Sequence, residues 1–295
     1  MVGSFVSHYR ILGKIGVGGM GVVYEADDMR LLRRAALKFL PDDLAGDPDA
    51  TRRLKREAQT IALLNHPHIC TVYEIGEHNG QPFIAMELLS GRNLKAHMAR
   101  NPLQTAEILD ITLQITQALE AAHAKGIVHR DIKPGNLFVD DSGCVKVLDF
   151  GLAKRLPVPS AHGSWGFVEG STIMGRPVGT PSYMAPERIL QSSLDPRCDL
   201  FSVGVVLYEM ATGRLPFAGA SPLETITNIL ETDPIPATYL SPGRPGQLNG
   251  IVAKLIAKRP EDRYESAAAL RVDLESLQRQ ASGSLLKRVF NRFTS

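Results

Sequence analysis

The segment Gly16–Val23 carries the first pattern with chemical meaning, G-x-G-x-x-G-x-V. Glycine has no Cβ, so its backbone N–H groups can approach a phosphate closely and it tolerates the positive φ angles of a tight turn. In dinucleotide-binding folds a helix follows the glycines. Here Val22-Val23-Tyr24 follows, and β-branched and aromatic residues predict a strand. The pattern therefore indicates a phosphate-binding hairpin or an incidental turn, and not a dinucleotide fold.

Lys38 is the nearest residue that could bring positive charge to the same phosphates, because it closes a short apolar run predicted to be the neighbouring strand. Glu57 lies in the middle of an amphipathic helical pattern over residues 47–65, and its carboxylate could hold Lys38 in an ion pair. Each residue alone has a simpler explanation. Lys38 would be a solvated surface lysine, and Glu57 would pair with Lys55 or Arg56 on the helix surface.

Three further runs change that balance: His129–Asn136, Asp149–Gly151 and Ala185–Glu187. Their occurrence in this order has a negligible chance of being a coincidence. With these motifs the sequence resembles the eukaryotic-type serine/threonine protein kinase family, and its bacterial branch most of all. The resemblance extends from Tyr9 to Leu277.

The resemblance implies a catalytic set. Asp131 would orient the attacking hydroxyl and accept its proton, and Lys133 would contact the γ-phosphate. Lys38, held by Glu57, would contact the α- and β-phosphates. The alternative, that these residues are ordinary caps and surface charges, is hard to maintain for all of them at once.

The same resemblance implies ATP as phosphate donor and a magnesium ion, with manganese as a substitute. Asn136 and Asp149 would be the metal ligands, and their oxygens are the hard donors that Mg²⁺ prefers.

The resemblance also implies a nucleotide pocket between two lobes. Met86 would lie at its back, backbone groups of Glu87 and Leu89 would pair with the adenine edge, and Asn93 would contact the ribose. Core packing is the alternative for each apolar member. The implied ATP-binding residues are Ile15, Gly16, Val17, Gly18, Gly19, Met20, Gly21, Val23, Ala36, Lys38, Met86, Glu87, Leu89, Asn93 and Phe138.

Substrate class follows from the form of the catalytic loop. Lys133-Pro134 after the aspartate, together with Gly179-Thr180-Pro181, resembles enzymes that phosphorylate serine and threonine rather than tyrosine. We therefore expect protein substrates with Ser or Thr hydroxyls, including the chain itself by autophosphorylation.

Regulation is expected in the polar, glycine-rich segment 152–184. Bacterial relatives often carry two threonines one residue apart there, whereas this chain has Thr172-Ile173-Met174. Thr172 is the first candidate for a regulatory phosphate and Ser171 the second, with Arg130 as the residue that would bind it.

The predicted fold is α+β, a bilobal protein-kinase fold. Residues 1–8 are an N-terminal extension and residues 9–277 the kinase domain. Residues 9–89 form a small β-rich N-lobe with one main helix, and residues 90–277 a larger, mainly helical C-lobe. A pseudokinase that binds nucleotide as a scaffold is the first rival function, and the intact set of chemical residues argues against it. A small-molecule kinase is the second, and the peptide-docking segment 179–187 argues against that.

Composition limits the partners and the location. The net charge of +2 on 295 residues gives no electrostatic footprint for nucleic acid. Three widely spaced cysteines predict reduced thiols and a cytoplasmic location, either alone or as the cytosolic catalytic part of a membrane-associated protein. The tail, residues 278–295, is basic and amphipathic; a terminal helix or the start of a linker is favoured over contact with a membrane surface.

Overall fold

A computed structural model describes residues 1–18, 21–39, 64–149, 172–173, 176–177, 181–190, 192 and 195–293, and of residues 172–173, 176–177 and 282–293 it describes the backbone. A six-stranded antiparallel sheet comes first, in the order β1-β2-β3-β4-β6-β5. Its strands are β1 (Phe5–Val6), β2 (Tyr9–Gly18), β3 (Gly21–Asp28), β4 (Arg33–Phe39), β5 (Val72–His78) and β6 (Gln81–Glu87). Residues 47–63 of the helix predicted over 47–65 lie outside the described residues, and Leu64 and Asn65 are not helical.

Strand β4 shows how the small lobe separates its core from its cleft. Side chains alternate between the faces of a strand, and Ala35, Leu37 and Phe39 all belong to the buried cluster on one face. Ala36 and Lys38 therefore face the other way. The pattern that forms the core also turns Lys38 toward the cleft.

Two turns in this sheet bear on the predictions. Asn79 and Gly80 both have positive φ, 52° and 78°, as a two-residue hairpin of the primed type requires, and they join β5 to β6. Residues 1–8 are not separate from the sheet. Phe5 and Val6 pair with Arg10 and Tyr9, and Val6 is fully buried in the small-lobe core.

The second part of the chain is mainly helical. Its described helices are α1 (Leu94–Met98), α2 (Thr105–His123), α3 (Pro186–Ile189), α4 (Arg197–Thr212), α5 (Pro222–Glu231), α6 (Ala237–Leu240), α7 (Gly246–Leu255) and α8 (Ala267–Phe293). Strands β7 (Arg92–Asn93), β8 (Leu137–Val139) and β9 (Val145–Val147) form one small sheet, and β10 (Thr172–Ile173) pairs with β11 (Arg176–Pro177).

Helix α4 is the centre of this lobe. Every residue from Cys198 to Tyr208 is buried, as expected for a helix that is apolar on all sides. Gly204 allows the close approach of α7, because a Cβ there would lie 2.6 Å from Leu255 Cβ and from Ile256 Cγ2. Gly213, with φ of 71°, ends the helix in the left-handed conformation.

The C-terminal helix is longer than the sequence indicates. The periodic pattern predicts a helix over residues 264–280 with a separate tail from 278, whereas α8 continues without a break from Ala267 to Phe293. The helix therefore passes through Gly283 and includes residues 278–293 of the predicted tail. Among the described residues, no helix combines the length and apolar character needed to cross a bilayer.

A buried ion pair joins α3 to the segment before α8. Arg263 donates from Nη1 to Glu187 Oε1 at 2.7 Å and from Nη2 to Glu187 Oε2 at 2.8 Å. The backbone carbonyls of Ala257, Arg197 and Lys258 accept its other N–H groups, so all five guanidinium donors have partners.

Replacing Arg263 with leucine should therefore lower the free energy of unfolding by about 3 to 5 kcal/mol, because Glu187 is left buried without its counter-charge. Arg259→Leu is the matched control. That side chain is 69% exposed and pairs only with surface carboxylates, so its loss should cost under about 1 kcal/mol. Urea denaturation measures both. Equal losses in the two variants would contradict a stabilising role specific to the buried pair.

Candidate active site

The two lobes are hydrogen-bonded along one edge of a cleft. The amide of Cys70 donates to the carbonyl of Val147 at 3.0 Å, and the amide of Val147 donates to the carbonyl of His68 at 2.9 Å. Lys146 Nζ, on β9, lies 2.9 Å from Glu87 Oε2 at the end of β6. These contacts fix β9, and with it the start of the Asp149 segment, against the small lobe.

Across this cleft Lys38 meets Asp149. Lys38 Nζ donates to Asp149 Oδ2 at 2.7 Å, and Lys38 is only 6% exposed. Asp149 has a φ of 55°, an uncommon conformation for a residue with a Cβ, which tends to occur where function over-determines the backbone. The expected partner of Lys38, Glu57, lies outside the described residues.

The second catalytic candidate, Asp131, is held by its own loop. Lys133 Nζ donates to Asp131 Oδ2 at 2.7 Å, and Asn136 Nδ2 donates to the same oxygen at 3.0 Å and to the Asp131 carbonyl at 2.8 Å. A short 3₁₀ turn, Pro134–Asn136, brings Asn136 back to Asp131. The amide of Leu148 donates to the Asn136 carbonyl at 2.8 Å, which places the two predicted metal ligands side by side.

A buried carboxylate on α4 fixes the backbone of this loop. Asp199 is fully buried and accepts from the amides of His129 and Arg130, each at 2.8 Å, and from His123 Nε2 at 2.9 Å. Burial alone would raise the pKa of Asp199, but the hydrogen bond from His123 and those from the loop amides outweigh it and lower that pKa. Asp199 thus braces the loop through two consecutive amides, and Arg130 has a φ of 69°.

His129 is a packed core histidine. It is fully buried, its Nδ1 accepts from the Asp131 amide at 3.1 Å, and its Nε2 donates to the Leu148 carbonyl at 2.7 Å. One nitrogen accepts and the other donates, so the neutral ring satisfies both contacts. Burial lowers the pKa of His129 and keeps that form. The ring thereby links the Asp131 loop to the Asp149 segment.

The predicted adenine pocket is brought together in part. Ala36 pairs with Met86 across β4 and β6, and Phe138 on β8 pairs with Asn93. The Glu87 amide already donates to the Thr71 carbonyl at 2.9 Å, so of the two Glu87 backbone groups the carbonyl, which Cys70 Sγ approaches at 3.9 Å, is the one left for adenine.

Asn93, which the resemblance assigns to the ribose, has another role in the structure. Asn93 caps α1, with its Oδ1 accepting from the Ala96 amide at 2.9 Å, so a ribose contact would use its amide nitrogen.

In the glycine segment Gly16 pairs with Val23, and Val17 is 68% exposed. Gly19 and Met20 lie outside the described residues, as does Ser171. Ile15, Gly18, Gly21 and Leu89 lie on β2, β3 and the connection after β6.

The comparison with known families decides the identity. The protein kinase domain model matches residues 9–274. The chain belongs to the protein kinase domain family.

Relatives of this kinase domain are bacterial enzymes with serine/threonine kinase names. The serine/threonine-protein kinase PknB of Mycobacterium tuberculosis is 39% identical over 92% of this chain and 43% of its own length. A probable serine/threonine-protein kinase of Streptomyces coelicolor, SCO3848, is 40% identical over 91% of this chain and 39% of its own. The chain thus spans about two fifths of these relatives.

A solved structure has the same fold. The crystal structure of the Mycobacterium tuberculosis PknI kinase domain superimposes with a TM-score of 0.74 at 27% identity, over 94% of this chain and 98% of that one. Membership of the kinase family implies use of ATP and a divalent metal ion. The hard oxygens of Asn136 and Asp149 fit such an ion. Asn136 Nδ2 donates to Asp131, so the side-chain oxygen Oδ1 of Asn136 remains for a cation.

Some contacts of the kinase site carry no signal in the sequence. Arg188 donates from Nη1 to the Arg130 carbonyl, and nothing but its position after Glu187 sets it apart. His123 at the end of α2 lies 76 residues from its partner Asp199. Lys146 and Glu87 are likewise distant in sequence. Only the fold brings these pairs together.

Because folding lowers the pKa of His129, the unfolded chain takes up the proton first on acidification. Stability should therefore fall as the pH drops below about 6.5, by up to about 1.4 kcal/mol per pH unit. His129→Gln should show a shallower pH dependence, measured by urea denaturation from pH 7.5 to 5.5. His78→Gln controls for the loss of an imidazole outside the loop. Parallel profiles for wild type and His129→Gln would contradict the assignment.

Proposed function

We propose that this domain transfers the γ-phosphate of ATP to serine and threonine hydroxyls of proteins. The observation that carries the proposal is the arrangement of Lys38, Asp149, Asn136 and Asp131: Lys38 donates to Asp149 at 2.7 Å, Leu148, the neighbour of Asp149, donates from its amide to the Asn136 carbonyl at 2.8 Å, and Asn136 donates to Asp131 at 3.0 Å. Phosphoryl transfer requires mainly positioning and charge neutralisation, and this set supplies both.

Asp131 acts on the acceptor. Its side chain is 21% exposed at the cleft, so an incoming hydroxyl can reach it, while Lys133 and Asn136 fix its orientation. The carboxylate orients the hydroxyl and takes its proton as the oxygen attacks. Lys133, 2.7 Å from Asp131, then lies where the transferred phosphate needs positive charge.

Asn136 and Asp149 hold the metal, for which we propose Mg²⁺ with Mn²⁺ as a substitute. When bound, the ion neutralises phosphate charge and orients the γ-phosphate. Lys38 donates to the Asp149 carboxylate, so both groups are already in place in the cleft. Lys38 would turn to the phosphates and Asp149 to the metal when these bind. Glu57 would hold Lys38 after that exchange.

The form of the catalytic loop favours serine and threonine over tyrosine as phosphate acceptors. Lys133 is directed at Asp131 from within the catalytic loop, and relatives with serine/threonine kinase names share the family. The physiological substrates, including the chain itself, belong to this proposal. So does a cytoplasmic location, supported by three cysteines that are all free thiols.

The rival function is a nucleotide-binding pseudokinase, and variants separate the two. Asp131→Asn should lower turnover by at least about a thousandfold while Mg²⁺-dependent nucleotide affinity stays near wild type, because it removes the proton acceptor only. Asp149→Asn should lose turnover and that affinity together. Single-turnover phosphorylation and calorimetry measure the two quantities.

Asp233→Asn, an exposed aspartate outside the site, is the matched control and should behave as wild type. Wild-type protein that binds Mg-ATP but forms no phosphoserine or phosphothreonine would establish the scaffold function instead. Asp131→Asn with more than about a tenth of wild-type turnover would reject its role.

Regulation by a phosphate on Thr172, with Ser171 as the second candidate, extends the proposal. Arg130 Nε is buried and has no hydrogen-bond partner among the described residues. A phosphate adds roughly −1.5 to −2 charge and can accept bidentately from a guanidinium. Thr172 itself begins β10, which pairs with β11.

Thr172→Ala should therefore reduce the activity of protein preincubated with Mg-ATP by about tenfold or more. Ser171→Ala is the matched control and should retain most activity. Combining Thr172→Ala with Arg130→Ala should add little to either single loss, because both remove one contact. Mass spectrometry locates the phosphates. An unmodified 152–184 segment with full activity in Thr172→Ala would reject phosphate control.

A further inference from the structure

Helix α8 begins inside the helical lobe and extends beyond the described core. Its first part packs against α2 and α7, and Arg271 Nε donates to Glu120 Oε2 on α2 at 2.8 Å. The described packing reaches the partly buried Ala281. The helix then continues to Phe293, about 18 Å further at 1.5 Å per residue. The buried positions of the first part are Ala267, Leu270, Leu274 and Leu277.

The apolar stripe of α8 changes sides beyond Ala281. The buried positions follow one another at intervals of three and four residues, and the same spacing continued past Ala281 leads to polar residues. These are Ser284, Arg288 and Asn291. At about 100° per residue, the mean direction of the apolar positions in the second part lies roughly 110° around the axis from the buried stripe. Those positions are Leu285, Leu286, Val289, Phe290 and Phe293.

The net positive charge of the chain comes from the same segment. Residues 276–295 contain four cations, Arg279, Lys287, Arg288 and Arg292, and no Asp or Glu. The whole chain carries +2, so without these four cations the remainder carries −2. The last three of them have a mean direction about 150° from that of the apolar positions. The second part of α8 is therefore amphipathic, with its cations opposite its apolar face.

We propose that the second part of α8, residues 282–293, lies on an anionic lipid surface. Helices that lie in a membrane interface have leucine and aromatic residues on one face and lysine and arginine on the other, and anionic headgroups attract each cation near the surface. A second copy of the chain could also cover an apolar face, but it would bring four further cations against the first four. Charge therefore favours lipid over self-association.

The continuity of α8 determines how the domain lies at such a surface. The sequence pattern alone favours a terminal helix or a linker for this segment, and a linker would leave the two parts free to turn. Because α8 runs without a break, the apolar face and the side packed in the lobe keep an angle of roughly 110°. With the apolar face on lipid, the domain lies beside the helix and does not come between the helix and the lipid.

Vesicle flotation of the complete 295-residue chain tests the proposal. The vesicles are phosphatidylcholine with or without about 30% phosphatidylglycerol. Wild type should bind the anionic vesicles about tenfold or more tightly than the neutral ones. Raising NaCl from about 0.1 M to about 1 M should remove this difference, because the screening length falls from about 10 Å to about 3 Å. Nucleotide is left out, so the result does not depend on kinase activity.

Two double variants separate the cations from the apolar face. Lys287→Gln/Arg288→Gln should lower the affinity for anionic vesicles by about tenfold or more. Phe290→Gln/Phe293→Gln should reduce binding to both kinds of vesicle, because it removes the aromatic part of the apolar face. Glutamine is a good helix former, so both variants should keep α8 helical.

Arg100→Gln/Arg214→Gln is the matched control, since it removes the same charge from exposed arginines outside the segment and should bind as wild type does. Equal binding of neutral and anionic vesicles by wild type, or an equal loss in the control and in Lys287→Gln/Arg288→Gln, would overturn the proposal. Sedimentation velocity without lipid tests the other occupant. Dimers that Phe290→Gln/Phe293→Gln abolishes, in a chain that does not float with vesicles, would assign the apolar face to a second copy instead.

Discussion

The buried carboxylate of Asp199 is the interaction on which the active site depends. Helix α4 is surrounded by the rest of the helical lobe, so the position of Asp199 is set by the core and not by the cleft. Its oxygens then bind consecutive loop amides and the ring of His123. A charge without such partners would be very costly at full burial, so the loop geometry and the ionisation of Asp199 require each other.

From this point the constraint spreads outward through short bonds. The braced loop orients His129, whose two ring nitrogens join the Asp131 and Leu148 backbones. Leu148 in turn is bonded to Asn136 and precedes Asp149. Backbone contacts that start in the core therefore position the catalytic aspartate and the metal ligands. The unusual φ values of Arg130 and Asp149 occur at the two ends of this network.

Sequence predicts best what local rules determine. Alternation in β4 gives both the core residues and the direction of Lys38, and Asn79-Gly80 gives a hairpin, because each depends on neighbours along the chain. Motif spacing also identifies the site residues. It does not give the partner of Lys38, since Asp149 is 111 residues away, nor the use of Asn93 as a helix cap. Nor does it give the length of the last helix, which continues past the predicted end at residue 280 to Phe293.

Apart from the Lys38–Asp149 pair, the hydrogen bonds described above between the lobes lie along one edge, where Cys70, Val147, Glu87 and Lys146 meet. A lobe attached along one edge moves mainly by rotation about that edge, so these residues define the rotation axis. The Lys38–Asp149 pair lies away from this axis, across the cleft. A small rotation about this axis would lengthen the distance between Lys38 Nζ and the Asp149 carboxylate before it disturbed the core of either lobe. Such a rotation would leave the catalytic loop attached to α4, because the bonds from Asp199 to the His129 and Arg130 amides lie wholly within the helical lobe.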